Sequence, residues 1–237
     1  MPDPPFGWMA LGGCYGCSAP PLRVGAFGDS TTAPRAGVWV YADQLAAAFA
    51  ARDRSHEIFN AGVPGNTTAM GLARFQTDVL DLLPDTVIIQ FGINDSMVDA
   101  WKYATEPRVS LLTYKANLKY FAQTLHSLGV RVIFMTPNSL RWTDPLRYFY
   151  ARGSYPGRPD YPDSPYDPND PRGICATLDP YAIVVRQVSA EESCPLVDVH
   201  ELFEAHPDTA SLLGDGMHPN SAGHTIVLGG LLAGVPT

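Results

Sequence analysis

The sequence alternates short apolar segments with amphipathic ones, and this alternation constrains the fold more than any other feature. We predict strands at 22–27, 56–60, 86–91, 130–135 and 196–199, and helices at 39–52, 68–83, 111–128, 179–192 and 221–232. The strand segments are short and apolar, whereas apolar residues recur every three or four positions in the helical ones. Strands and helices that alternate in this order form a parallel sheet with helices on both faces.

The domain organisation follows from the same pattern. A chain of 237 residues suits one α/β domain, which we place at 22–237, and we interpret the Pro/Gly-rich residues 1–21 as an N-terminal arm. The pattern is interrupted at 136–172, where eight prolines alternate with aromatic residues. So many aromatics favour a packed loop over a linker, and since the loop follows the fourth strand we expect it beside the carboxyl edge of the sheet.

Composition excludes several classes of partner. The formal net charge of −8 argues against nucleic-acid binding and against docking on an anionic membrane. No apolar run approaches the roughly 18 residues of a membrane span. The dinucleotide-binding and Walker phosphate motifs are absent. We therefore predict no cofactor, and a small-molecule or carbohydrate ligand, with homo-oligomerisation left open.

Four cysteines are too few for a disulfide scaffold. Cys14 and Cys17 have the spacing of a redox or zinc pair, but a zinc site would need them to meet other cysteines or histidines. The histidines lack metal-ligand spacing with carboxylates, so we predict no metal site. The alternatives are ordinary thiols or a disulfide between Cys175 and Cys194.

The amino-terminal segment predicts no complete signal peptide, because it has no basic region and its apolar stretch is short. Residues 11–14 (LGGC) are faintly similar to a lipoprotein cleavage box, but no hydrophobic segment of the proper length precedes them. The sequence as written indicates a cytoplasmic protein. A secreted or periplasmic location stays open if further residues precede it.

Polar residues follow the predicted strands at the edge where parallel sheets bind ligands. Three loops follow the first three strands, at 28–31, 62–67 and 92–95, and a fourth, at 215–220, precedes the last helix; each places a polar group beside a glycine. A serine hydroxyl needs a base, and the base needs a partner that fixes its tautomer. His218 and Asp215 can supply both to Ser30.

Attack on a carbonyl also needs donors for the developing oxyanion. The backbone N–H groups of Ser30 and Gly65 and the side-chain amide of Asn94 are suitable. Taken alone, Ser30 would be a helix N-cap, Gly65 a turn glycine and Asn94 a turn or cap residue. Their joint placement at one sheet edge favours the catalytic interpretation.

These segments resemble the blocks of the SGNH hydrolases, the GDSL family of esterases and lipases. The matching residues are Gly28-Asp29-Ser30, Gly65, Gly92-Ile93-Asn94-Asp95 and Asp215-Gly216-Met217-His218, with Thr31 where the family name has leucine. The resemblance implies a three-layer αβα sandwich with a flavodoxin-like five-stranded parallel sheet. It also implies Ser30, Asp215 and His218 as the catalytic triad, and Ser30, Gly65 and Asn94 as the oxyanion hole. We expect Asp29 and Asp95 to make orienting hydrogen bonds.

The expected function is hydrolysis of carboxylic esters through an acyl-enzyme on Ser30. Short acyl groups, acetyl to butyryl, are favoured because the sequence shows no long apolar lid. One alternative is a carbohydrate O-acetylesterase, since the aromatic residues of 142–166 could stack on sugars. A catalytically silent carbohydrate-binding module on the same fold and a metal-dependent hydrolase are more distant alternatives.

Overall fold

A computed structural model describes residues 21–51, 56–153, 157 and 160–234. Within these residues, five strands form one parallel sheet in the order β2-β1-β3-β4-β5. The strands are β1 (Arg23–Gly28), β2 (Glu57–Gly62), β3 (Thr86–Gln90), β4 (Arg131–Met135) and β5 (Leu196–Val197). This is the flavodoxin-like order, so the predicted fold class is confirmed. The order reverses beside β1, and ligands of such sheets bind at that switch point.

Helices cover both faces of the sheet. They are α1 (Tyr41–Ala50), α2 (Thr68–Asp78), α3 (Ile93–Ser96), α4 (Leu111–Ser127), α5 (Asp144–Tyr150), α6 (Asp179–Glu191), α7 (Val199–Glu204) and α8 (Ser221–Gly234). Helices α2, α4 and α6 pack together on one face, and α1, α7 and α8 on the other. Short 3-10 helices lie at Leu80–Leu82, Ala100–Lys102, Gly173–Cys175 and Thr209–Leu212.

The core is divided in two by the sheet, because successive side chains of a strand point to opposite faces. In β3, Val87 and Ile89 belong to the cluster beneath α2, α4 and α6, whereas Ile88 belongs to the cluster beneath α1 and α8. All five residues of β3 are buried. A strand covered on both faces is expected to be apolar throughout, and this one departs from that only at Thr86 and Gln90.

Several predicted elements end earlier than the sequence pattern indicated, and the structure gives the reason for two of them. The fifth strand ends at Val197, since the Asp198 side chain accepts a hydrogen bond from the Glu201 N–H and caps α7 instead. The second helix ends at Asp78. The backbone of Val79 leaves the helical region, and the chain continues as a 3-10 turn that closes with Leu83 in the left-handed conformation.

The segment 136–172 contains a helix that we did not predict. Helix α5 begins after Thr143, whose hydroxyl accepts a hydrogen bond from the Leu146 N–H, and a proline occupies its first turn. Elsewhere in the segment, Leu140 and Tyr166 share a buried cluster with Ile93, Met97 and Val98. Tyr166 in that cluster accepts a hydrogen bond from the Val98 N–H at 2.8 Å. The packed aromatic segment that the composition favours is therefore present in the described residues.

The two described cysteines, Cys175 and Cys194, are free and buried. The alternative that they form a disulfide is therefore wrong, and the interpretation as ordinary thiols is confirmed for this pair. Burial raises the pKa of Cys175 to about 11 and that of Cys194 to about 12. Cys14, Cys17 and nearly all of the predicted arm at 1–21 lie outside the described residues. Across the described helices, none combines the length and apolarity that a membrane crossing requires.

Candidate active site

Ser30 lies in the turn that follows β1. The carbonyl of Asp29 accepts hydrogen bonds from the N–H groups of Thr32 and Ala33, which closes a tight turn around Ser30. No helix starts here, so the N-cap alternative for Ser30 is wrong. The Ser30 hydroxyl oxygen lies 2.8 Å from His218 Nε2.

His218 is held by Asp215 from the same turn. Asp215 Oδ2 lies 2.7 Å from His218 Nδ1, while Oδ1 accepts hydrogen bonds from the N–H groups of Met217 and His218. A carboxylate only accepts, so Nδ1 carries the proton and Nε2 is left to accept from the Ser30 hydroxyl. Partial burial raises the pKa of Asp215, but these hydrogen bonds outweigh it and hold the pKa well below its usual range.

The beginning of the segment 136–172 supports this turn directly. The Arg141 N–H donates to the Gly216 carbonyl at 2.8 Å, and the Asn138 side chain donates to the Met217 carbonyl at 2.9 Å. Gly216 has φ +84°, and a Cβ there would lie 2.3 Å from the Arg141 carbonyl oxygen. Only glycine allows this approach. The turn that carries His218 is therefore clamped by the predicted loop, which lies beside the site at these residues.

The three predicted oxyanion donors lie on loops that Asn94 links by hydrogen bonds. The backbone N–H groups of Ser30 and Gly65 donate to no acceptor within the described part of the chain. Gly65 occupies a turn after β2 with φ +78°. The Asn94 amide nitrogen donates to the Asn66 carbonyl at 3.2 Å and lies 3.4 Å from Asp29 Oδ2. Asn94 thus joins the residue after Gly65 to the residue before Ser30.

Two buried carboxylates organise these loops. Asp29 Oδ1 accepts from the N–H and the hydroxyl of Thr31, both at 2.8 Å. Asp95 Oδ1 accepts from the N–H and the hydroxyl of Thr68, at 2.9 and 2.5 Å. These are the orienting hydrogen bonds that we expected of Asp29 and Asp95. Burial raises the pKa of both carboxyl groups and outweighs the hydrogen bonds from the threonines, which act in the opposite direction. The pKa of Asp95 is raised to about 7.

His224 is also close to the site but faces the core. The residue is 1% exposed, and its Nε2 lies 3.2 Å from an Arg35 guanidinium nitrogen. Burial lowers its pKa to about 3, with Arg35 adding to the effect, so the ring is neutral at physiological pH. His224 is therefore packed as a structural residue, as its place inside the last helix indicated.

Two arginines that the sequence analysis did not identify contact the candidate site. Arg74 of α2 donates to the Gly28 and Ala61 carbonyls and to Asn66 Oδ1, and so ties together the ends of β1 and β2. Arg108 donates to Asn94 Oδ1 at 3.2 Å. Neither arginine belongs to a local motif, because each contact joins segments that are distant in the chain.

A groove of about 630 Å³ includes Gly65 and Arg108 in its walls. Its walls also include Thr67, Met70, Lys102 and Val109. The volume is in the range of small-molecule sites. Apolar side chains and backbone form one part of the wall, and Lys102 and Arg108 give it a charged rim. For the residues with described positions, no group of three or more His, Cys, Asp or Glu side chains could hold a metal ion.

Comparison with known proteins gives consistent matches. Residues 26–226 match the GDSL-like lipase/acylhydrolase family. An acetylxylan esterase of Geobacillus stearothermophilus is 30% identical over 180 residues, which cover 72% of this chain and 68% of that protein. A Bacillus subtilis protein named as the uncharacterised lipoprotein YqeF is 40% identical over 119 residues, or 47% of this chain. That match spans only 46% of the Bacillus protein.

A solved structure agrees with the sequence matches. The crystal structure of a lipase/acylhydrolase from Enterococcus faecalis superposes with a TM-score of 0.64 and 25% sequence identity. The match covers 90% of this chain and 94% of the Enterococcus chain. The structural similarity therefore extends over most of the chain, and the family match at 26–226 spans all four loops that form the candidate site.

Proposed function

Because the chain belongs to the GDSL-like lipase/acylhydrolase family and is a carboxylic ester hydrolase, we propose that it removes short acyl groups, chiefly acetyl, from carbohydrates through Ser30. The observation that carries the proposal is the hydrogen-bonded chain from Ser30 through His218 to Asp215. A serine hydroxyl is a weak nucleophile at neutral pH, and this chain gives it a base of fixed tautomer.

In the proposed reaction, Ser30 Oγ attacks the ester carbonyl carbon as His218 Nε2 takes the hydroxyl proton. The resulting imidazolium is stabilised by Asp215. The negative charge on the former carbonyl oxygen is met by the N–H groups of Ser30 and Gly65 and by the Asn94 amide. His218 then gives its proton to the leaving alcohol, which breaks the ester bond and leaves an acyl group on Ser30. Water, deprotonated by His218, releases the acid by the same steps.

The two backbone oxyanion donors suit this role because neither N–H group has an acceptor in the described part of the chain. The Asn94 amide is held in place by the Asn66 carbonyl at 3.2 Å and by a longer contact of 3.4 Å with Asp29 Oδ2. A donor that is already in place costs no reorganisation when the charge develops. One such donor contributes roughly 3–4 kcal/mol to transition-state stabilisation.

Three features support acetylated carbohydrates as substrates. The groove that includes Gly65 combines the small apolar side chains of Ala69 and Ala73 with the charged side chains of Asp99, Lys102 and Arg108, a mixed lining that suits a short acyl group on a polar carrier. Trp101 and Tyr103, on either side of the groove residue Lys102, are 42% and 72% exposed and could stack on a sugar ring. The Geobacillus stearothermophilus relative is named as an acetylxylan esterase.

The test is a specificity panel of p-nitrophenyl esters from acetate to decanoate, with acetylated xylo-oligosaccharides measured by acetate release. We expect the highest kcat/KM on the oligosaccharides and a fall beyond butyrate, with no activity in Ser30→Ala. A kcat/KM that rises through decanoate would contradict the proposal. Hydrolysis of p-nitrophenyl acetate without deacetylation of the oligosaccharides would contradict its carbohydrate part.

A further inference from the structure

The side chain of Asn94 is hydrogen bonded at both ends, and its two neighbours fix which end is which. Arg108 Nη1 donates to Oδ1 at 3.2 Å, and the Asn66 carbonyl accepts from Nδ2 at 3.2 Å. A guanidinium can only donate and a carbonyl can only accept, so the reversed amide would lose both bonds. The amide nitrogen is thereby directed toward the neighbours of Ser30 and Gly65 in the chain, since it also lies 3.4 Å from Asp29 Oδ2.

Arg108 is itself held in place by Asp99. Its Nε and Nη2 both donate to Asp99 Oδ1, at 3.1 and 2.6 Å, and the carboxylate is only 11% exposed. Backbone contacts fix the same segment against α3, since the Arg108 N–H donates to the Met97 carbonyl and the Val109 N–H to that of Asp95. Arg108 is therefore anchored independently of Asn94.

We propose that Arg108, anchored by Asp99, is a positioning residue that sets the orientation of the Asn94 amide for the oxyanion. This inference rests on the role of Asn94 in the proposed function. Without Arg108, rotation of the amide would turn its oxygen toward the oxyanion hole, where it would donate nothing and repel the developing charge. The interaction belongs to the chemical step, so kcat should change and KM should not.

The charge of the anchor is constant over the working pH range. Burial alone would raise the pKa of Asp99, but hydrogen bonds from Arg108 and Lys102 outweigh it and lower the pKa. Burial lowers the pKa of Arg108, and the bonds to Asp99 reverse this. The Asp99–Arg108 pair therefore stays ionised around neutral pH, and its effect on kcat should not depend on pH in that range.

A double-mutant cycle with p-nitrophenyl acetate tests the inference, since this substrate carries no sugar that Arg108 could touch directly. We expect Arg108→Met to lower kcat about tenfold with KM nearly unchanged, by analogy with the partial loss of one oxyanion donor. In an Asn94→Ala background the same change should lower kcat less than about twofold, because the group that Arg108 orients is gone. Asp99→Asn should weaken the anchor and give a smaller loss of the same kind.

Arg186→Met is the matched control. Arg186 makes two similar hydrogen bonds to Asp198, at 2.6 and 3.0 Å, is comparably exposed, and contacts neither Ser30 nor Asn94. It should keep the kcat of the wild type. Equal tenfold losses from Arg108→Met with and without Asn94 would overturn the positioning role and leave the proposed function intact. Full activity of Asn94→Ala would overturn both the oxyanion assignment and this inference. If Arg108→Met does not fold, kcat of Asp99→Asn is compared with and without Asn94→Ala instead. Equal losses in the two backgrounds would overturn the positioning role in the same way.

Discussion

Ser30 Oγ lies 2.8 Å from His218 Nε2, although 188 positions separate the two residues in the chain. Ser30 follows the first strand, and His218 precedes the last helix. Helix α8 packs against α1, and Arg35 donates to the Pro219 carbonyl, so the first and last parts of the domain meet at this point. The geometry of the candidate site therefore depends on the docking of α8, and tests of the site need a parallel measure of folding.

The first prediction concerns Asn94. Asn94→Ala removes a side-chain donor, so kcat should fall roughly a hundredfold or more while KM changes little. Asn94→Asp keeps the shape and an acceptor for Arg108 but cannot donate, and it should be at least as damaging. Steady-state kinetics and thermal melts of both variants provide the measurement. Wild-type turnover in either would show that Asn94 only forms a turn.

The second prediction concerns Gly65. Alanine at its φ of +78° is strained by about 1–2 kcal/mol, although a Cβ would meet no atom within 4 Å. We expect the strain to be relieved by a backbone shift that moves the Gly65 N–H, so Gly65→Ala should lower kcat about tenfold or more. Gly129, with φ +74° and the same open space, precedes β4 at the opposite edge of the sheet. Gly129→Ala should lose similar stability and keep its kcat. Equal activity of the two variants would refute the role of the Gly65 N–H.

The third prediction concerns the buried carboxyl of Asp95. Its pKa is raised from 3.8 to about 7 by burial, with a further contribution from Asp29. The folded protein therefore binds this proton more tightly than the unfolded chain does. The stabilisation is complete below about pH 4 and is lost as the pH rises to about 7.

Asp95→Asn cannot titrate, so the stability of the variant relative to the wild type should rise between about pH 4 and pH 7 and then level off. The limiting slope for one group is about 1.4 kcal/mol per pH unit. Denaturant unfolding of both proteins across that range measures the difference. A difference in unfolding free energy that stays constant with pH would mean that Asp95 is ionised throughout.

Much of the fold could be predicted because the signals are local. The β3 segment is almost wholly apolar, as a strand buried on both faces must be, and the α4 stripe has helical spacing ended by Gly129. The residues proposed for catalysis could also be predicted from the sequence. Each lies at or near a glycine in a loop that follows a strand or precedes a helix. A parallel sheet places these loops at the same edge, so no additional sequence signal is needed to predict that they lie close together.

Other features depend on contacts between distant segments and leave no local pattern. Arg108 reaches Asn94 across 14 positions, and Arg74 reaches the Gly28 carbonyl across 46. Helix α5 is a different case. Its Thr143 cap and the proline in its first turn are helix-start signals, but the surrounding prolines made the segment resemble irregular structure.

The central claim is that Ser30 is a nucleophile activated by His218, and covalent trapping tests it most directly. The protein is incubated with a fluorophosphonate, and the adduct is located by peptide mass spectrometry. The account predicts one adduct per chain on Ser30, with loss of p-nitrophenyl acetate hydrolysis in proportion to labelling. Labelling should be absent in Ser30→Ala and at least about a hundredfold slower in His218→Ala. An unlabelled but active wild type, or a Ser30→Ala variant that is labelled and turns over like the wild type, would contradict it.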